Sequence, residues 1–267
     1  MGKFIDKLLR NPFTFEITSI FVYIFYCLVF AVAAIPSALL IRWAYLFINN
    51  IENQDYEILL FLAFVAVCAV SCYIFLIATA IFVGFVERLL TIGLKPGAYP
   101  VGSPEFFKWL VYSGLHLWMV NLVLGYLRGN NWIKIYLRIS GAKIGKGVFI
   151  NTKDIYDAYL LEIGNDVIIG GEANINCHLH EGINLHLGKI KIGDGTVIAG
   201  RAYLTPGTRT GKNSKIGIQT YVRRNTEAGD GESLISMPAM NIRAVMKLMK
   251  LMQADQKEDK KEEDENK

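Results

Sequence analysis

The sequence predicts a helical membrane unit followed by a β-solenoid, and three observations carry that expectation. Two long uncharged apolar runs lie in the first third of the chain. A six-residue beat of small apolar residues occupies the stretch from Ile144 to Val222. The beat breaks once, and three of the four histidines gather at the break.

The apolar runs come first. The apolar fraction is 52% and is concentrated toward the N-terminal end. Ile17 to Ile41 is 25 residues without a charge and Ile58 to Val86 is 29. Each exceeds the roughly 20 residues that cross a bilayer as a helix, so crossings are expected near 17–48 and 58–90. The first run is too long for a secretory signal and no small-residue cleavage site closes it. Lys3, Lys7 and Arg10 precede the pair, and Arg88 and Lys95 follow it. The intervening loop carries only Glu52, Asp55 and Glu57. Positive charge on one side predicts a multi-pass cell-membrane protein with a cytoplasmic N-terminus and a cytoplasmic solenoid. Pro36 is expected to kink the first helix. Arg42 beside Trp43 and Tyr45 reads as an interfacial anchor.

The four cysteines (Cys27, Cys68, Cys72, Cys177) have neither disulfide nor zinc spacing, so no disulfide is expected. The net charge of +4 is unevenly spread, and no nucleic-acid partner is expected.

Gly93 to Ser103 is a Gly/Pro-rich connector. Ser103-Pro104-Glu105 then reads as N-cap, N1 and N2 of a helix ending near Gly129. A full crossing there would export Lys134, Arg138, Lys143 and Lys146, so an embedded or interfacial helix near 104–128 is expected. Trp132 to Ile139 alternates apolar and basic residues and is placed at headgroup level, closing a membrane domain over residues 1–140.

From here the beat takes over, with a solenoid expected over 141–229. It runs through Ile144, Ile150, Ile163, Ile169 and Ile175, and again through Ile192, Ile198, Leu204, Thr210, Ile216 and Val222. Gly or Asn often follows. One inward apolar residue per hexad, with a backbone-tolerant residue beside it, suits a chain that turns a corner every six residues. Neither a 3.6 period nor simple alternation explains the spacing. Beyond the repeat, Ile242, Val245, Met246 and Met249 suggest an amphipathic helix over 236–253, capping the solenoid or lying on the membrane. Residues 254–267 read as a disordered charged tail.

The repeat resembles the hexapeptide of the left-handed parallel β-helix acyltransferases, whose three hexads make one triangular coil. About four coils are implied. Three further stretches extend the likeness back along the chain: Leu94-Lys95-Pro96-Gly97-Ala98-Tyr99-Pro100, Phe107-Lys108-Trp109, and Tyr136 to Gly145. Together they are similar to the membrane-embedded C-terminal regions of poly-lysine-synthetase-type peptide synthetases.

The break follows His180, and the beat resumes at Ile192 after 11 extra residues. The resemblance implies a general-base histidine on this excursion. His178 matches best, with His180 as a second candidate, and Glu181 could orient His178 or a neighbouring histidine. Neutral imidazole at cytoplasmic pH suits proton abstraction from a hydroxyl or amine attacking a thioester. The resemblance also implies coenzyme A in a groove between neighbouring β-helices, for which Gly200, Arg201, Gly217 and Arg223 are candidates. Asn176, Asp157 and Trp109 are candidate substrate contacts. Asp154, Asp157 and Glu162 form an acidic group one coil earlier that reads as a solvated edge.

The expected activity is membrane-bound acyl transfer from an acyl-CoA, acetyl-CoA among them, to a lipid or lipid-linked acceptor, by a homotrimer. No metal is expected, because the histidines crowd one excursion rather than separate coils. Two alternatives stand: an aminoacyl or peptide-bond-forming transferase fed by a carrier-protein thioester, and a non-catalytic trimeric scaffold.

Overall fold

A computed structural model describes residues 12–51, 56–235, 240–243 and 246–247. Helix α1 (Pro12–Asn49) and helix α2 (Glu57–Leu90) pack side by side. Helix α3 (Pro104–Met119) continues through a π-helical turn, Val120–Leu124, to Leu127. Three helices, Glu16–Asn49, Glu57–Leu90 and Pro104–Leu127, are long and apolar enough to span a membrane. The basic residues before α1, and Glu52 and Asp55, lie outside the described residues.

Ser103 caps α3 as its position predicts, accepting from the Phe106 amide at 3.1 Å. What the apolar count does not show is the sidedness of this helix. Phe106, Trp109, Tyr112, Leu115, His116 and Met119 are buried, while Leu117 and Leu122 are exposed. The buried face lies against the first coil of the solenoid. On the other side Tyr26 of α1 donates to the Val111 carbonyl at 2.7 Å. Gly114 makes that approach possible, since a Cβ there would sit 2.4 Å from the Tyr26 hydroxyl oxygen.

Trp132 to Ile139 forms most of helix α4 (Asn131–Ile139). Its buried residues, Ile133, Tyr136 and Leu137, follow helical spacing. Its two basic residues bond backbone carbonyls. Lys134 donates to the Val148 carbonyl, and Arg138 to the carbonyls of Ile144 and Gly145. These are outer-edge groups of the first coil, where no preceding strand exists to pair them.

The solenoid follows. Lys191 faces Arg209, Val197 faces Lys215 and Tyr203 faces Tyr221 in parallel ladders, 18 residues on in each case. Three flat faces result, with parallel strands running from Lys143–Ile144 to Ser233–Ile235, one strand past the 229 boundary. The beat residues point inward: Ile169, Ile175, Ile198, Leu204, Ile216 and Val222 are all buried. So is a small residue two places before many of them, among them Ala173, Thr196, Ala202, Thr208, Ser214 and Thr220.

The glycines after the beat serve close approach rather than unusual dihedrals. A Cβ on Gly193 would sit 2.2 Å from the Gly211 carbonyl oxygen of the next coil. Left-handed backbone falls one or two residues later at the corners, on Asp157, Glu172, Arg201, Asn213 and others.

Past the last coil, Met240–Asn241 pairs antiparallel with Leu234–Ile235. These two residues are therefore strand rather than the expected helix, because the terminal strand leaves an unpaired edge that the returning chain satisfies. The rest of the amphipathic segment is largely outside the described residues, and the tail over 254–267 wholly so.

Candidate active site

The interrupted corner is where the site forms. Glu162 faces Lys191, Ile168 faces Val197 and Asn174 faces Tyr203, each 29 residues on, so the ladder register itself contains the 11-residue excursion. The extra residues form an antiparallel hairpin, His178–Glu181 with Asn184–Leu187. The connector supplies a third strand, Gly97–Pro100, paired to the outer side of Asn184–Leu187. The hairpin is thereby tied back to the start of α3.

His178 lies at the root of this hairpin. Its Nδ1 is 2.6 Å from Asp157 Oδ2. Asp157 occupies the same corner one coil earlier, in left-handed backbone at φ 58°. Its other oxygen, Oδ1, accepts from Trp109 Nε1 at 2.9 Å. The Asp157 side chain is 1% exposed and that of His178 is 18% exposed. The carboxylate is thus sealed while the imidazole keeps an edge to solvent. With Nδ1–H committed to Asp157, Nε2 is left as the basic nitrogen.

Aromatic rings border the imidazole. Trp109 meets His178 with ring centroids 4.8 Å apart and His180 at 5.3 Å. Phe106 touches His180 at 6.1 Å, and Tyr156 approaches His178 at 6.2 Å. Burial and the neighbouring His178 hold the His180 imidazole below its ordinary value. Burial, with Asp154 and Tyr203 adding to it, pushes the Tyr156 phenol up to about 12.

The candidates named from the sequence separate into groups. His178, His180, Trp109 and Asp157 come together. Trp109 donates to Asp157, and Asp157 meets His178, so the polar atoms of Trp109 and Asp157 are engaged within the cluster. Asn176 is similarly engaged, accepting from the His178 amide at 3.2 Å and donating to the Tyr203 hydroxyl at 3.0 Å. Glu181 does not orient His178. It meets His186 Nε2 at 3.4 Å and Arg224 at 2.8 Å, fastening the hairpin to a later coil.

The acidic group is dispersed. Asp157 is buried, whereas Glu162 lies on a different face among Lys143, Lys189 and Lys191. Burial there would raise the Glu162 carboxyl, but hydrogen bonds from Lys143 and Lys191 hold it below its usual range.

The four coenzyme candidates fall on two corners. Arg223 follows strand Tyr221–Val222, on the corner that carries the hairpin. Gly200, Arg201 and Gly217 lie at the next corner back, where Arg201 pairs with Glu172 at 2.7 Å. Arg128, Asn151, Gly171 and Ile218 line a hollow with Gly200, Arg201 and Glu172 there.

Three inward faces, an 18-residue register and glycines at the coil contacts decide the architecture. The chain carries a hexapeptide-repeat β-helix. No family model matches it. Over 158 residues, 59% of the chain, it is 30% identical to the delta-poly-L-ornithine synthetase of Acinetobacter baumannii strain AB307-0294, and the match covers 12% of that protein's length. It is similar to a hexapeptide-repeat-containing acetyltransferase of Vibrio cholerae solved with acetyl coenzyme A, at 17% identity over 58% of this chain and 96% of that one, TM-score 0.43. Likeness to a maltose O-acetyltransferase of Clostridium difficile 630 is at 19% identity over 58% and 95%, TM-score 0.44. A serine acetyltransferase of Neisseria gonorrhoeae is similar at 17% identity over 64% and 71%, TM-score 0.35.

Residues the sequence did not single out for the site include Phe106 and Arg224. For Phe106 the signal was available, since it precedes Trp109 by three on a helix and shares its face. Arg224 becomes a site neighbour only through the stacking of coils.

Proposed function

We propose that the protein is a membrane-bound acyltransferase in which His178 is the general base and Asp157 orients it. The observation that carries this reading is the Asp157–His178 pair, with Nδ1 held at 2.6 Å and the imidazole edge open beside the hairpin. Nε2 takes the proton of an acceptor hydroxyl or amine as its oxygen or nitrogen attacks the thioester carbonyl. The tetrahedral oxyanion is met by backbone amides of the hairpin. On collapse the C–S bond breaks, and His178 returns its proton to the leaving thiolate. Asp157 stabilises the imidazolium in between.

The donor in this reading is an acyl-CoA, with Arg201 or Arg223 on its phosphates. A neighbouring subunit in a homotrimer would supply the opposite wall, which would bring the two separated corners to one groove. The acceptor is membrane-resident, and the β-helix lies on the cytoplasmic side. Two features support that acceptor. Phe106 and Trp109, which border the histidines, belong to the apolar α3. On the far side of α3 a cleft of about 200 Å³ opens against α1, lined by Val22, Tyr23, Tyr26, Leu110, Val111 and Trp118.

Substituting His178 by Ala in the full-length protein tests the base. Loss of turnover with the fold retained supports it, and unchanged turnover rejects it. A second reading, transfer of an aminoacyl unit from a carrier-protein thioester, draws on the printed name of the poly-ornithine synthetase relative. Comparing acyl-CoA with aminoacyl-carrier protein as donor separates the two.

A further inference from the structure

A second buried polar cluster lies beneath the site, where the helices meet the first coil. Glu87 of α2 is 0% exposed and His116 of α3 is 1% exposed. Glu87 Oε1 is 3.2 Å from His116 Nδ1. Its Oε2 accepts from the Tyr136 hydroxyl at 2.6 Å and from Ser140 at 2.9 Å. Tyr136 has one proton and gives it to Glu87, so toward His116 Nδ1, 2.8 Å away, its oxygen accepts. On the other side of the ring Nε2 sits 2.9 Å from the Ile155 carbonyl, which only accepts. Nε2–H donates to the Ile155 carbonyl, and Nδ1 shares protons with Glu87 and Tyr136, so every polar atom of the ring is bonded.

The buried His116–Glu87 pair adds little stability over an apolar junction of the same shape, because its desolvation cost offsets its attraction. Its placement suggests another role. Ile155 and Asp157 are two residues apart, and α3 grips both: His116 at the Ile155 carbonyl, Trp109 at the Asp157 carboxylate. Residues 109 and 116 are seven apart, on one face of the helix. Glu87 and Tyr136 fix the ring of His116, and with it the rotation of α3 against α2 and α4.

We infer that the His116–Glu87 pair is a positioning device for the Asp157–His178 dyad, an inference that rests on the general-base reading above. It holds the strained corner at Asp157 so that its carboxylate meets His178 in one orientation. The membrane helices and the proposed base are thereby mechanically one unit.

The test uses full-length protein in detergent, and its chemical-modification readout needs no acyl acceptor. Diethyl pyrocarbonate modifies neutral imidazole, and peptide mass spectrometry reads its extent at His178 over time at fixed pH. Asp157, Tyr156 and His180 are the titratable groups facing His178, and Glu87, Tyr112, Tyr136 and Tyr156 surround His116. Glu87→Gln keeps the shape of the side chain but changes what holds the His116 ring, so the readout follows displacement of Asp157. The expected result is a several-fold change in the His178 modification rate at fixed pH, since loosening the Asp157 contact alters the setting of the ring. Turnover of acetyl-CoA should fall about 10- to 100-fold with KM unchanged, as for a misplaced reacting group. Tyr136→Phe should give a smaller change in the same direction, and decides the matter if Glu87→Gln does not fold. A lowered melting temperature with the modification rate and kcat both unchanged overturns the inference. The base assignment fails separately, if His178→Ala retains turnover while the changes in modification rate persist in the variants that keep His178.

Discussion

Replacing Asp157 by Asn is the sharpest perturbation of the proposed mechanism. Asn matches Asp in shape and tolerates the left-handed φ of 58°, so the corner should keep its fold. What changes is the donor count. In the native site Oδ1 accepts from Trp109 at 2.9 Å and Oδ2 meets His178 Nδ1 at 2.6 Å. An amide presents one oxygen and one NH2, so one of these two contacts becomes donor against donor. Trp109 cannot relocate its proton, and opposing it in a buried site costs about 1–3 kcal/mol. His178 can relocate its proton by changing tautomer. The amide oxygen therefore stays on Trp109, its NH2 faces His178, and the imidazole proton moves to Nε2. The base is then occupied by the proton it should accept. Loss of kcat by about 10⁴-fold is the scale for a wrong tautomer in a comparable Asp–His arrangement. KM should change little, and the melting temperature should stay close to native. Steady-state thiol release from acetyl-CoA over a pH series measures it. Adding Trp109→Phe frees the amide oxygen to turn toward His178 and should restore part of the rate. Full turnover in Asp157→Asn, or no recovery in the double variant when the single one is inactive, would refute the reasoning.

The β-helix and its surroundings yield further expectations. Gly193→Ala would drive a Cβ to 2.2 Å from the Gly211 oxygen, and overpacking of that kind costs about 1–3 kcal/mol, read as a lower melting temperature. Gly182→Ala at the hairpin tip, φ +57° with nothing within 4 Å, should cost only about 1–2 kcal/mol of backbone strain. By NMR, His180 should titrate below 6.5, because burial and His178 disfavour its charged form, and His178→Ala should raise it. The unfolded chain then binds that proton more tightly, so the His180 contribution to stability is lost as pH falls below 6.5; a midpoint above 6.5 would contradict this. In mild detergent the active species should be a trimer, and a fully active monomer would reject the shared groove. A truncation beginning near Gly141 should lose activity even on a water-soluble acceptor, since it removes Trp109 from Asp157.

Two local patterns determined most of the architecture. Charge-free runs longer than a bilayer crossing set the two long helices, because length and apolarity are local properties of the chain. The six-residue beat set the coils, because each hexad repeats the same inward and corner positions, so one row of isoleucines and glycines writes the whole ladder. The excursion after His180 was equally legible, as a missing beat. Contacts between distant segments were not. Asp157 resembled a surface carboxylate until the first coil stacked it under His178 and α3 covered it. Trp109, Lys134 and Arg138 had the composition of a membrane interface. Folding gave them to a carboxylate and to the outer-edge carbonyls of the first coil, whose hydrogen-bonding demand exists only once that edge exists. His116 and Glu87 are 29 residues apart, and neither lies in a motif. Only the packing of α2, α3 and α4 on the first coil brings them together, because a buried polar group must find its partner wherever the tertiary structure puts one.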